Sequence, residues 1–216
     1  MFHAGRNNQK FSYNLYGQSL QSTEAEKDIG VILTPDLRPS KMVAKVASGA
    51  NQVLGAWARA VSWRDKVTWV QIYKTYIRPK LEYCSQAWSP WTVADREALE
   101  KVQRRAVGMV TTLPKDMRYE EKLELLGLST LEERRERGDM IQMYRSLGGQ
   151  DTVGHKPFFT LESESQRQGP ATRAHTGHLN VVLPAPARTE QRRNFWSRRS
   201  AATWNALSDG KKCQLI

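Results

Sequence analysis

Between Arg38 and Trp91 the chain carries Arg38, Lys41, Lys45, Arg59, Arg64, Lys66, Lys74, Arg78 and Lys80 against only Asp65 and Glu82, a local excess of seven positive charges. Ammonium and guanidinium groups at this density do one kind of chemistry well: they displace counterions condensed on a polyanion and hold its phosphates. The whole chain agrees in sign. Its 216 residues include 33 Lys and Arg against 22 Asp and Glu, for a formal charge of +11 and a pI near 9.8. Such a balance favours nucleic acid or an anionic membrane surface as partner. A solvated basic face that binds nothing has the same composition, so placement matters more than the total. From Thr92 to Arg145 eleven cations meet eleven anions, and from Lys156 onward ten meet four. Two basic regions thus flank a balanced, charge-dense middle.

Other chemistry is hard to find. There is no GxGxxG, GxxxxGK[ST], GxSxG or HExxH pattern. His3, His155, His175 and His178 fall in loop-like stretches, and no neighbouring Cys or acid completes a metal site around the last two. No two aspartates are adjacent, and the acids interleave with Lys and Arg along helical stretches, whereas a two-metal nuclease or polymerase needs clustered carboxylates. The expectation is therefore no catalytic residue, no metal ligand and no cofactor on this chain. Cys84 and Cys213 form neither a disulfide framework nor a metal spacing, which fits a reducing, intracellular compartment, nuclear or cytoplasmic. The opening MFHAGRNNQK lacks the apolar run of a signal peptide, and no stretch is apolar enough to span a bilayer, so no membrane partner is expected.

Several elements must position these cations. Phe11–Leu15 and the run DIGVIL, which ends at Thr34-Pro35-Asp36, predict a small antiparallel hairpin or meander, with Gly17-Gln18 as a turn. Gly30 inside the second run predicts a bulge or a close backbone approach. A first helix should open on Ser40 as N-cap, with Val43, Val46, Ala50, Leu54 and Trp57 on its apolar stripe and Lys41, Lys45, Gln52 and Arg59 elsewhere. Asp65 is placed to cap the central stretch Val67–Trp91, where Trp69, Tyr73, Tyr76/Ile77, Leu81, Cys84 and Trp88 recur at helical spacing. Pro79 should push Arg78 out of the α region and kink or break that helix.

Thr92 can cap a third helix with Leu99, Val102, Ala106, Val110 and Leu113 on one face and Glu97–Lys101 and Glu100–Arg104 as exposed pairs. A short helix over Tyr119–Leu126 should end at Gly127, and another should start with the capping box Thr130-x-x-Glu133 and stop at Gly148-Gly149. Arg134, Arg135 and Arg137 are expected to pair with the acids around them. Residues 150–187 read as an irregular connection anchored only by Phe158-Phe159. Thr189–Leu207 regains helical spacing through Trp196, Ser200, Trp204 and Leu207, and SDGKKCQLI reads as a frayed tail.

Taken in order, EKDIGVIL, TPDL, RPSK, ANQVLG, RDKV, IYKTYIRPKLEYCSQAWSPW, LEKVQRRAVGMV, YEEKLELLGLSTLEERRERGDMIQMYR, NFWSRR and TWNAL resemble the C-terminal part of LINE-type (non-LTR) retrotransposon reverse transcriptases, in particular the jockey and chicken-repeat groups. The resemblance runs roughly from residue 3 to 207 and rests on successive motifs. It implies a mainly α fold: a small N-terminal β-hairpin, a helical thumb-like bundle and an irregular basic C-terminal extension. Its segments would be an end-of-palm, primer-grip-like β segment over 1–37, the thumb over 38–114, a helical extension over 115–149, the linker over 150–187, and a basic helix and tail over 188–216.

The family is an RNA-directed DNA polymerase whose catalytic [FY]xDD motif lies upstream of this part and is absent here. SDGKKCQLI departs from the family after Leu207, so the chain is expected to be a truncated fragment. A thumb grips template–primer duplex through phosphates, and the residues implied for that role are Lys41, Lys45, Arg59, Arg64, Lys66, Lys74, Arg78 and Lys80, with Arg104 and Arg105 as further phosphate contacts. The partner implied is an RNA–DNA hybrid or RNA, bound largely without regard to sequence. A protein-interaction module whose exposed aromatic helices from Trp57 to Trp91 dock on an intact polymerase chain, and a mobile-element relic without function, are the alternatives.

Overall fold

The computed structural model describes residues 1–5, 8–154, 157–161, 181–182 and 187–207. It is mainly α, as expected, and divides into two compact units, Met1–Glu132 and Glu133–Ile216. The expectations for His155, Lys156, His175, His178, Cys213 and the tail SDGKKCQLI lie outside the described residues.

The first unit opens on two separate two-stranded hairpins, β1 (Asn14–Leu15) with β2 (Gln18–Ser19) and β3 (Glu26–Asp28) with β4 (Val31–Leu33), both antiparallel. Each closes on two residues with positive φ, Tyr16-Gly17 and Ile29-Gly30. That is the tight turn whose twist matches the strands, and glycine takes its second position without steric cost. DIGVIL is therefore split between two strands, and Gly30 is a turn residue rather than a bulge. The close approach does exist: a Cβ on Gly30 would lie 3.1 Å from the Tyr83 ring, whose hydroxyl donates to the Ile29 carbonyl at 3.0 Å.

Three helical passes make the core. Helix α1 (Ser40–Ala60) buries Met42, Val43, Ala50 and Leu54. Ser40 is its first residue and not its cap, since Pro39 holds the cap position and the Ser40 hydroxyl donates to Asp95 at 2.8 Å. Asp65 does cap α2 (Lys66–Ile72), accepting from the Val67 and Thr68 amides at 2.9 and 3.0 Å. Those bonds, the one from Thr68 first, hold its carboxyl below the ordinary value of 3.8. A depressed folded pKa means that the cap's contribution is present above 3.8 and lost as pH falls through the folded value. Asp65→Asn, which caps without ionising, is expected to flatten the acid limb of the stability–pH curve at this position. Denaturant unfolding from neutral pH down to below pH 3.8 checks it, and a limb as steep as wild type's counts against the cap.

A single π-turn, Tyr73–Ile77, joins α2 to α3 (Arg78–Glu82). Pro79 has no N–H to offer, and the widened turn absorbs the defect because the Arg78 amide reaches back five residues to the Tyr73 carbonyl. Arg78 consequently keeps helical angles, φ −58° and ψ −41°, contrary to the sequence expectation. The break comes later, where Tyr83 turns extended and Cys84 adopts φ 52°. Trp69, Tyr73, Ile77, Leu81 and Trp88 are buried as predicted, but Cys84 is exposed. Tyr76 is half-exposed and stacks on Trp57, their ring centres 4.8 Å apart.

After α4 (Ser85–Trp88), α5 (Val93–Gly108) starts on the Thr92 hydroxyl, which accepts from the Asp95 amide. Ser40 meets Asp95 and Asn51 meets Arg105, so α1 and α5 run the same way. Trp69 donates to the Ala106 carbonyl and Tyr73 to Gln103, so the central pass runs opposite to them.

Helix α6 (Tyr119–Leu126) ends on Gly127 at φ 59°, with Leu128 N–H on the Leu123 carbonyl and Gly127 N–H on the Glu124 carbonyl, the paired bonds of a glycine C-cap. The expected Glu100–Arg104 pair is replaced. Glu97 holds Arg104 at 2.6 Å, while Glu100 accepts from the Tyr119 hydroxyl, Gln103 and the Leu131 amide that opens α7 (Leu131–Leu147).

In the second unit, β5 (Thr160–Leu161) pairs antiparallel with β6 (Val181–Val182), giving order inside the expected linker. Phe158 and Phe159 both meet Trp196 edge-on. The single C-terminal helix expected is two, α8 (Glu190–Arg193), capped by Thr189, and α9 (Trp196–Ala206), which buries Trp196, Ser200, Ala201 and Trp204. Asp139 on α7 is buried and pairs with Arg199 through two bonds of 2.8 and 2.9 Å, with its α7 neighbour Arg135 also acting on it.

Candidate nucleic-acid interface

The cations named from sequence separate into two groups. Arg64 is half-buried and donates to the carbonyls of Met109, Ala58 and Val61 at 2.9–3.2 Å, with its guanidinium 5.7 Å from the Trp69 ring centre. Its role is to tie the α1–α2 connection to the end of α5. Arg78 sits 3.9 Å from Glu82. Arg104 is held by Glu97, which raises its pKa further, and lies 4.8 Å over the Tyr119 ring. Arg105 donates to Asn51 at 3.1 Å.

Lys41, Lys45, Arg59, Lys66, Lys74 and Lys80 make no hydrogen bond or ion pair with any described residue, and all but the half-buried Lys74 are exposed. On α1 the intervals of four, seven and seven residues bring Lys41, Lys45, Gln52 and Arg59 to within about 40° of one another, on a single stripe about 27 Å long. That stripe lies opposite the buried residues Val43, Ala50 and Leu54. Helix α1 contains no Asp or Glu in its 21 residues, so nothing along the helix neutralises the stripe. Lys66 opens α2 and Lys80 lies in α3, at opposite ends of the central pass.

One exposed aromatic escaped the sequence reading. Trp63, in the connection between α1 and α2, is 68% exposed. The signal was there in its flanks, since it stands between Arg59 and Lys66. Among the described residues no cluster of His, Cys, Asp and Glu could hold a metal ion, and no helix is long and apolar enough to cross a membrane. Comparison with protein-family models, curated proteins and solved structures finds no match to this chain.

Proposed function

We propose that residues 38–114 form a thumb-like grip on nucleic-acid duplex, the template–primer-binding part of a non-LTR reverse transcriptase on a chain without the catalytic [FY]xDD motif. One observation carries the reading: an acid-free α1 presents Lys41, Lys45 and Arg59 on one straight, solvent-facing stripe. Cations spaced along a rod suit phosphates repeated along a strand, and they position a duplex without reading its sequence. The motif order that resembles these polymerases supports the same assignment.

Titration of an RNA–DNA hybrid at several salt concentrations tests it. Affinity should fall linearly on a log–log plot, by close to one unit of slope per phosphate contacted. Lys41→Ala/Lys45→Ala/Arg59→Ala should remove about two to three units of that slope, and Lys74→Ala/Arg78→Ala/Lys80→Ala should weaken binding independently of sequence. Affinity that ignores salt, or that neither triple variant changes, defeats the reading.

A second reading, a module that docks on a protein such as an intact polymerase chain, rests on the hairpin β1–β2 and not on the Trp57–Trp91 helices, whose Trp69, Tyr73 and Trp88 are buried. Phe11, Tyr13, Leu15, Tyr16 and Leu20 are all exposed there, an unusual concentration of uncovered apolar surface. Light scattering and pull-down on a purified polymerase chain separate the two readings, since a monomer with no protein partner removes the second.

A further inference from the structure

We infer that Trp63 is a fixed stacking platform for an unpaired nucleic-acid base at the end of the helical bundle. The inference rests on the nucleic-acid reading above and adds a ligand feature to it.

The connection Val61–Asp65 is built to be stiff. The Arg64 carbonyl accepts from both the amide and the hydroxyl of Thr111, at 2.8 and 2.9 Å. The Arg64 side chain bonds three carbonyls drawn from α1, its exit and the end of α5. The next residue, Asp65, uses its carboxylate on two amides of α2. A residue flanked by such anchors has little backbone freedom, yet the indole of Trp63 stays two-thirds exposed. A large aromatic held rigidly in water loses little conformational entropy on binding, which is what makes tryptophan effective at contact sites.

The surroundings choose the occupant. Arg59 and Lys66 flank the indole in sequence and are exposed and unpaired with any described residue. The one nearby acid, Asp65, is turned to the α2 amides. A flat π-face beside cations fits a base attached to its phosphate, and every base offers such a face, so the contact needs no particular sequence. Bases stacked inside an intact duplex are not available for it. An overhang, a strand end or a single strand is.

Three ligands of equal length and label distinguish the outcomes: a single-stranded oligonucleotide, a hybrid with a single-stranded overhang, and a blunt hybrid. Full-length Trp63→Ala should bind the first two about tenfold more weakly, leave the blunt hybrid unchanged, and keep the wild-type salt slope, since no cation is lost. Trp63→Phe should restore most of the loss. A fluorescent base analogue in the overhang should be quenched by the wild-type chain and not by Trp63→Ala. Circular dichroism confirms that the variant is folded, as expected for an exposed side chain.

Equal affinity of wild type and Trp63→Ala for all three ligands overturns the inference while leaving the phosphate grip standing. So does a loss of the same size on the blunt hybrid. A wild-type dimer that dissociates on Trp63→Ala, with nucleic-acid affinity intact, reassigns the indole to a second copy of the chain. If the wild-type chain binds none of the ligands, the grip and the platform fall together.

Discussion

Replacing Gln103 with alanine is expected to cost about 3–5 kcal/mol of unfolding free energy, read from urea denaturation of the full chain. Gln103 is fully buried and joins four parts of the first unit. Its amide oxygen accepts from the Tyr73 hydroxyl on the central pass, and its NH2 is shared among Glu100, the Tyr119 oxygen of α6 and the Ser129 carbonyl, each at 3.0 Å. Burial, with Tyr119 and acidic neighbours behind it, pushes the Tyr73 phenol far above its ordinary pKa. Tyr73 therefore keeps its proton, and since the Glu100 carboxylate and the Ser129 carbonyl can only accept, the NH2 faces them and the amide oxygen is left to accept from Tyr73. Alanine leaves the Tyr73 hydroxyl and the Ser129 carbonyl without their partner, at about 1–3 kcal/mol each, and opens a cavity besides. Tyr119 and Glu100 keep their mutual bond, which limits the damage. Gln103→Leu/Tyr73→Phe removes the central donor and acceptor together and should lose clearly less than the two single variants summed. Strict additivity would show that Gln103 and Tyr73 are not coupled.

The network also marks the boundary of what the residues announce on their own. Caps at Asp65, Thr92 and Gly127 are local events, decided within five residues, and each was legible. The buried faces of α1, α5 and the central pass follow from spacing, and they too could be read. Gln103 could not, because its partners are 16, 26 and 30 residues away and a glutamine between charged residues looks like surface. Arg64 misled for the same reason. Its charge suggested phosphate, whereas three carbonyls left over at the ends of α1 and α5 claim it. The Pro79 rule named the missing hydrogen bond correctly but not its remedy, since a π-turn spreads the defect over five residues and moves the break to Tyr83-Cys84. For the candidate site, sequence supplied the cations and helical geometry sorted them, setting Lys41, Lys45 and Arg59 on one stripe. Only tertiary contacts could separate free cations from occupied ones.

Arg199→Ala is expected to destabilise the second unit by about 2–4 kcal/mol near neutral pH, because it removes both hydrogen bonds to the buried Asp139 carboxylate and leaves Arg135 as the cation acting on it. The two residues share a bidentate pair, and Asp139 is the more deeply buried of them. Burial already lifts the Asp139 carboxyl above 3.8 in the intact protein, against the opposing pull of Arg199 and Arg135. A raised folded pKa means that the native state holds the proton more tightly than the unfolded chain does. Stability contributed by this group is therefore complete below 3.8 and falls as pH rises through the folded value. Without Arg199 the lift grows, so the deficit of the variant should shrink on acidification as Asp139 takes up a proton. Asp139→Ala behaves differently: the guanidinium cannot lose its charge and the Asp139 titration is gone, so its deficit should follow wild-type Asp139 alone and lessen, rather than grow, as pH rises through the folded value. Asp139→Leu/Arg199→Leu removes both members of the pair but leaves the buried Arg135 without the Asp139 charge, so it should recover only part of the stability lost in either single variant. Denaturant unfolding of the four proteins at neutral and mildly acid pH reads all three contrasts. Equal pH dependence in Arg199→Ala and Asp139→Ala would mean that water, and not the pair, solvates Asp139.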